Sequence, residues 1–377
     1  MAFFDLTDGP VVLEIPPAEG GSLNGNIVTT WQVPIEDLGL HGADQGKGGK
    51  FVLLLPGHAD PVPEGFTALQ SDTFGGYMLF RSTLASHDED EVERARAYAM
   101  QVEVYPLAGA GNPPPTVYTD AWDVLFDATI RYDASFFQNL TRIVQSEPWL
   151  ERDRLMIDYL RSIGIEKGQP FAPDAEMTTL LDAAAQEARA WLEARYDAFY
   201  PGFFTPEGQW TFPVPAELVQ ALQNGYSDPD AYPVDLRGVT FTFAYVAIKR
   251  LGAGQVYLVS IRDADGNALD GSQTYRLTVP PDAPVEQYWS VTACDRESHA
   301  LIRDMPRASR SSQIADLQAN AAGSVDIYFG PKAPEGMKAN RVPTDPERGF
   351  ELMFRLYGPD KAFFDKAWVL PEVEKVD

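Results

Sequence analysis

The chain has 377 residues, of which 45% are apolar and 23% are charged, and its formal net charge is −25. This length and apolar content predict two or three folded domains with real cores and exclude a disordered chain. Nucleic acids and anionic membranes are bound mainly through clustered Lys and Arg, so the acidic balance argues against both partners. No apolar run reaches about 18 residues, so no membrane span is predicted.

Metal and cofactor motifs are missing from the sequence. The single cysteine, Cys294, rules out an internal disulfide and a Cys-based zinc site, and its alternating surroundings predict a buried strand residue. The glycine-rich block 41–50 lacks the order of a phosphate-binding loop, which predicts a hairpin loop. The four histidines are scattered along the chain. We therefore predict neither a metal site nor a cofactor.

The first third of the chain has the pattern of a β domain. Residues 1–85 contain strand-length apolar runs bounded by Gly and Pro, and the acidic run 88–105 follows as a helix with Val92 and Tyr98 on one face. Prolines then cluster in the segment 107–115, where a helix cannot continue. This predicts a β-rich N-terminal domain over residues 1–107.

The middle of the chain, residues 108–235, has helical periodicity. Asp133 is placed to cap one helix, Pro148 to open a second that runs to Gly164, and a third begins after Asp174. Glu147, Glu151 and Asp153, around the start of the second helix, could supply the acid and the base of a glycosidic-bond hydrolase, although acidic residues are common at helix starts for structural reasons.

From Gln255 onward the chain alternates apolar and polar residues at strand length, with Asp265-Gly266 as a hairpin turn. Residues 236–377 are thus predicted to form an antiparallel β-sandwich or jelly roll. The fold class predicted for the whole chain is α+β.

Arginines cluster in the stretch Tyr288–Gln313, against the acidic background. Guanidinium groups offer paired donors to carboxylates, phosphates and sugar hydroxyls, and aromatic rings offer flat apolar walls. We therefore predict that the C-terminal domain binds a polar, anionic or carbohydrate-like small molecule. The predicted ligand-binding residues are Tyr275, Trp289, Arg303, Arg307 and Arg310.

Two alternatives stay open at this point. The protein could be a metal-independent hydrolase, with Asp295 or Asp326 as the base and Arg307 or Arg310 stabilising negative charge. The arginine cluster could also be purely structural, tied to carbonyl and carboxylate oxygens inside the domain. The spacing of these residues does not separate the three interpretations.

Several long blocks resemble a known bacterial family, namely FFDLTDGPVVLEIPP, IVQSEPWLERD, DGSQTYRLTVPPDAPVEQYWSVT and FELMFRLYGPDKAFFDKAWVLP. The chain is similar to the two-domain family whose halves carry domains of unknown function 1254 and 1214. The resemblance implies a β-rich N-terminal domain, a helical middle that includes a helix before Gly254, and a C-terminal domain similar to a jelly roll. It implies no established activity.

The chain also departs from that family's pattern. Relatives usually begin before FFDLTDGP, so the chain resembles a truncated member with an open first strand, which leaves a homo-oligomer open. Arg341 and Cys294 stand where aromatic residues are common in the family. The sequence as written does not begin with the pattern of a signal peptide, which predicts a cytoplasmic location. The resemblance implies instead a periplasmic or exported protein, because relatives often carry export signals.

Overall fold

The computed structural model of the protein divides into two compact units. The described residues are 1–86, 88–125, 127–199, 204, 208–242, 249–250, 254–302 and 304–376. The N-terminal unit comprises Met1–Trp191, Ala216–Val234 and Tyr245–Arg250, and the C-terminal unit comprises Leu192–Pro215, Asp235–Ala244 and Leu251–Asp377. Sheets dominate both ends of the sequence and helices dominate its middle, so the predicted α+β class is confirmed.

The sheets of the N-terminal unit follow the apolar runs of the first 106 residues. The strands are β1 (Ala2–Asp5), β2 (Val11–Ile15), β3 (Leu23–Thr29), β4 (Pro34–Gly39), β5 (Gly49–Leu54), β6 (Phe66–Gln70), β7 (Gly75–Ser82) and β8 (Glu103–Pro106). They form two four-stranded sheets, ordered β1-β7-β3-β4 and β6-β5-β2-β8. Both sheets contribute to one apolar core, which includes Ile27, Met78, Leu13 and Leu53.

Among the described residues, the α-helices between Glu89 and Gln223 begin in the N-terminal unit. They are α1 (Glu89–Ala99), α2 (Ala134–Ser146), α3 (Arg154–Tyr159), α4 (Ala175–Phe199) and α5 (Ala216–Gln223). The predicted cap of α2 is confirmed, because the carboxylate of Asp133 accepts from Ser135 N at 2.8 Å. The prediction that the third helix begins after Asp174 is also confirmed, and the carboxylate of Asp174 accepts from Met177 N at 2.8 Å. Among the described residues, no helix is both long and apolar enough to cross a membrane.

One predicted helix is shorter than expected. The helix predicted from Pro148 to Gly164 consists of α3 flanked by two 3-10 turns, Glu151–Asp153 and Leu160–Ile163. Gly164 ends it with a left-handed φ of 85°, as its glycine predicts. The prediction of one continuous helix was wrong.

The C-terminal unit is built around two more sheets. Its strands are β9 (Gln255–Ser260), β10 (Thr274–Val279), β11 (Val285–Asp295), β12 (Ser309–Ser311), β13 (Val325–Phe329), β14 (Arg341–Val342), β15 (Phe350–Pro359) and β16 (Glu374–Val376), and its short helices are α6 (Val234–Phe241) and α7 (Lys361–Phe364). The sheet orders are β14-β13-β10-β16 and β12-β11-β15-β9. We call the second of these the β11 sheet.

One apolar core joins the two sheets of the C-terminal unit. It takes Leu277 and Ile327 from one sheet and Val291, Phe354 and Leu258 from the β11 sheet. The predicted sandwich therefore agrees with the observed core. The jelly-roll connectivity stays a prediction.

Two details of the C-terminal β region differ from the prediction. Asp263 organises the predicted turn by accepting from Asn267 N at 2.8 Å, but β9 and β10 on its two sides belong to different sheets. In the run 300–304, whose alternation also predicts a strand, the described residues contribute an isolated bridge between Leu301 and Cys294. The predicted helix before Gly254 is α6, and the positions 243–248 and 251–253 after it lie outside the described residues.

Candidate functional site

The β11 sheet presents two chemically different faces. Successive side chains of a strand point to opposite faces, and directly paired residues share a face. Val291, Phe354 and Leu258 point into the sandwich core. The residues between them on β9, β11 and β15 lie on the opposite, outer face of the sheet.

Strand pairing aligns a polar row across this outer face. Ser290 pairs with Ser311 on one side and with Arg355 on the other, and Arg355 pairs in turn with Tyr257. The neighbouring row places Tyr288 beside Tyr357. We call the outer-face group of Tyr257, Tyr288, Ser290, Thr292, Arg355 and Tyr357 the Arg355 face.

Arg355 is a half-buried cation at the centre of this group. Its Cζ atom lies 5.4 Å from the ring centroid of Tyr257, and its Nε–H points to the weakly accepting Sδ atom of Met353 at 3.4 Å. Among the described residues, no carboxylate lies within 4.0 Å of its guanidinium. The burial of a charged group costs free energy unless a counter-charge pairs with it. The described partners of this guanidinium, Met353, Tyr257 and Tyr357, are all neutral, which indicates a place for an anion.

The two tyrosines beside Arg355 form a stacked pair. Tyr288 and Tyr357 have ring centroids 4.2 Å apart and planes inclined by 17°. Burial, together with the neighbouring Tyr357, raises the pKa of Tyr288 well above its usual range. Tyr288 therefore stays protonated, and its hydroxyl forms a hydrogen bond with Tyr357.

The other end of the outer face of the β11 sheet carries a buried ionic network. His299 lies between two carboxylates: Nδ1 is 3.1 Å from Oε2 of Glu351 on β15, and Nε2 is 3.4 Å from Oε1 of Glu193 on α4. Tyr196 donates to Oε2 of Glu351 at 2.7 Å. Burial alone would lower the pKa of His299, but its hydrogen bonds to Glu193 and Glu351 raise that pKa to about 9.

Arg296 completes the network on the helix side. It donates to Glu193 at 2.8 Å and to Asp197 at 2.6 Å, and its Cζ atom lies 4.5 Å from the ring centroid of Tyr196. These bonds join the last turns of α4 to the β11 sheet within the C-terminal unit. Because each charged side chain of the network contacts a partner of opposite charge, this network is a structural clamp rather than an open site.

Two of the predicted ligand-binding residues belong to the sandwich core. Tyr275 is 2% exposed, and its hydroxyl accepts from Asp270 N at 3.0 Å. Trp289 stacks on Phe354 with ring centroids 5.6 Å apart. Both rings are already covered by protein, so neither offers a free wall to a ligand.

Two of the three predicted arginines, Arg307 and Arg310, lie at or next to β12, an edge strand of the β11 sheet. Arg310 lies on β12 and pairs with the inward-facing Val291. It is 6% exposed, and its Nε has no hydrogen-bond partner among the described residues. Arg307 is half-buried, and its Nη1 has no such partner in the described part of the chain. Arg303 lies outside the described residues.

The two predicted bases lie in different sheets. Asp295 ends β11, where Oδ2 is 2.6 Å from Nε of Arg348 and Oδ1 accepts from Ser298 N at 2.8 Å. Asp326 lies on β13 and accepts from the hydroxyl of Thr278 at 2.6 Å. The strand pairings do not bring these carboxylates together, and Asp295 is occupied by an ion pair.

Cys294 is buried, which raises the pKa of its thiol to about 12.

Sequence reasoning missed the Arg355 face, although one signal for it was readable. The alternation in FELMFRLYG places Glu351, Met353, Arg355 and Tyr357 on one face of a strand. The contributions of Tyr257 and Ser290 depend on the strand register, which the sequence does not show.

Comparison with known proteins identifies both ends of the chain. Residues 1–106 match the family described as protein of unknown function (DUF1254), and residues 254–361 match the family described as protein of unknown function (DUF1214). No curated protein matches the chain.

Two solved structures resemble the fold. The VPA0106 protein from Vibrio parahaemolyticus is 18% identical, with a TM-score of 0.59 over 100% of this chain and 88% of that one. An uncharacterised protein from Burkholderia cenocepacia is 13% identical, with a TM-score of 0.43 over 98% of this chain and 73% of that one. At this level of identity, the first likeness shows a shared fold alone.

Proposed function

The chain belongs to the two-domain family that carries DUF1254 at the N-terminal end and DUF1214 at the C-terminal end, and we propose that its C-terminal unit binds a small molecule through an anionic group. The observation that carries the proposal is the half-buried Arg355, which has no carboxylate partner among the described residues. The anion would take the position of the missing counter-charge.

The neighbours of Arg355 support an anion over a cation. Ser290 and Thr292 bring hydroxyl groups to the same face, and Tyr288 brings a phenol that stays protonated. A guanidinium and hydroxyl groups donate hydrogen bonds to oxygen, and the planar guanidinium can bind two oxygens at once. This arrangement needs no catalytic base.

This proposal moves the predicted site from the arginines of residues 303–310 to the outer face of the β11 sheet. Arg303, Arg307 and Arg310 stay a prediction as a second location for an anion. Hydrolysis has less support, because Asp295 is paired with Arg348 and Asp326 lies on the other sheet.

The test is a titration with acetate at constant ionic strength, followed through the Nε–H resonances of the arginines by NMR. The resonance that disappears in Arg355→Gln identifies Arg355, and it should shift saturably as acetate is added. Arg276→Gln is the matched control, because Arg276 belongs to the same unit, on β10, and is paired with Glu374 at 2.6 Å. The proposal fails if the Arg355 resonance moves no more than the Arg276 resonance.

A further inference from the structure

We propose that the ligand of the Arg355 face is an aromatic carboxylate: one carboxylate held by Arg355, on a flat ring that lies against the tyrosines. This inference rests on the proposed function and adds to it the number of charges and the shape of the ligand.

We infer a single negative charge on the ligand because the Arg355 face offers a single positive charge. Arg355 is the one basic side chain among the six residues of the Arg355 face, and the whole chain carries a net charge of −25. A phosphate or sulfate dianion would bring a second negative charge, which no other cation among the six residues of the Arg355 face would match, against the long-range field of the protein. A single carboxylate matches both the charge and the planar geometry of one guanidinium.

The charge of the face favours a carboxylate over a neutral sugar. Hydrogen bonds between a guanidinium and an ionised oxygen are stronger than those to a neutral hydroxyl, and the described face offers no ionised acceptor beside Arg355 for a sugar. The acidic residue on the same face of β15 is Glu351, four residues and about 13 Å along the strand from Arg355, and it is engaged by His299 and Tyr196. The carboxylate of Glu351 is thus already committed to the network with α4.

The ring is favoured by the aromatic surroundings of the guanidinium. Tyr257 lies 5.4 Å from Cζ of Arg355, and the stacked rings of Tyr288 and Tyr357 occupy the adjacent row. The half-buried rings of Tyr288 and Tyr357 provide flat apolar surface next to the carboxylate position. An aromatic ring gains from edge or face contacts with such rings in addition to the area it buries.

The experiment compares benzoate, acetate, benzamide and inorganic phosphate as ligands of the full chain by calorimetry and by the Arg355 Nε–H resonance. Benzoate should bind about ten-fold more tightly than acetate, and benzamide and phosphate should bind more weakly than benzoate. Tyr288→Leu should remove most of the preference for benzoate over acetate. Tyr328→Leu is the matched control, because Tyr328 lies on β13 in the other sheet of the same unit.

The outcomes separate this inference from the proposed function. Equal affinities for acetate and benzoate, both lost in Arg355→Gln, would overturn the aromatic ring and leave anion binding intact. Tighter binding of phosphate or benzamide than of benzoate would overturn the carboxylate. No Arg355-dependent binding of any probe would overturn both. If Tyr288→Leu does not fold, the four-ligand comparison on the wild-type chain decides the question alone.

Discussion

Replacing His299 with Gln should change how the stability of the C-terminal unit depends on pH. On the side of α4, His299 is faced by Glu193, Tyr196 and Asp197, which are joined to Arg296. On the side of the β11 sheet, it is faced by Glu351 of β15, and Asp295 lies four residues before it in the chain. Its pKa is raised from 6.5 to about 9 by the hydrogen bonds to the two glutamates, against the opposing effect of burial. The cation is therefore more favourable in the folded chain than in the unfolded chain.

The magnitude follows from that rise in pKa. Each pKa unit is worth about 1.4 kcal/mol, so the rise corresponds to about 3 kcal/mol of folding stability. Because the folded pKa is the higher one, this contribution is complete below pH 6.5 and is lost as the pH rises through 9. Between these limits, the unfolded chain has released the proton and the folded chain has kept it.

The assay is urea unfolding of the wild-type chain and of His299→Gln at several pH values between 6 and 10. The stability advantage of the wild type should shrink by about 3 kcal/mol across this interval. His58→Gln is the control, because His58 forms no ion pair with any described residue. A constant advantage of the wild type over His299→Gln from pH 6 to pH 10 would refute the reasoning.

Three further substitutions test other buried polar groups. Arg310→Met should leave the free energy of unfolding unchanged or raise it by about 1–3 kcal/mol, because a buried cation with an unpaired Nε is removed; a loss of several kcal/mol in urea unfolding would instead show a structural clamp. Glu147→Gln should cost about 2–4 kcal/mol in the same assay, because Glu147 accepts from Phe74 N at 2.7 Å and Gly75 N at 2.9 Å, whereas a cost equal to that of the exposed Glu151→Gln would contradict this. Tyr196→Phe should cost about 1–3 kcal/mol through the lost bond to Glu351, and an unchanged midpoint would count against that bond.

The sequence predicted the fold better than the site. Alternating apolar residues predicted the long strands of both units, and Asp133 and Asp174 marked the starts of α2 and α4 correctly. The prediction of one continuous α-helix from Pro148 was wrong because a helical pattern in the sequence does not distinguish an α-helix from 3-10 turns.

The site was harder to predict because it depends on long-range pairing. Arginines close together in the sequence suggested a cluster, but β12 places Arg310 next to the inward-facing Val291. The Arg355 face combines β9, β11 and β15, and its members meet only through the strand register. Glu193, the partner of His299 on α4, lies about a hundred residues earlier in the chain. A local sequence pattern does not predict a contact over that separation.

The most direct test of anion binding by the C-terminal unit is a crystal structure of the full chain with 4-bromobenzoate, in which the bromine is located by its anomalous scattering. The account predicts one bromine peak beside Tyr288 and Tyr357, with the carboxylate oxygens within hydrogen-bonding distance of the guanidinium of Arg355. A bound ligand whose carboxylate lies elsewhere, with the guanidinium of Arg355 still without an anion, would contradict the account.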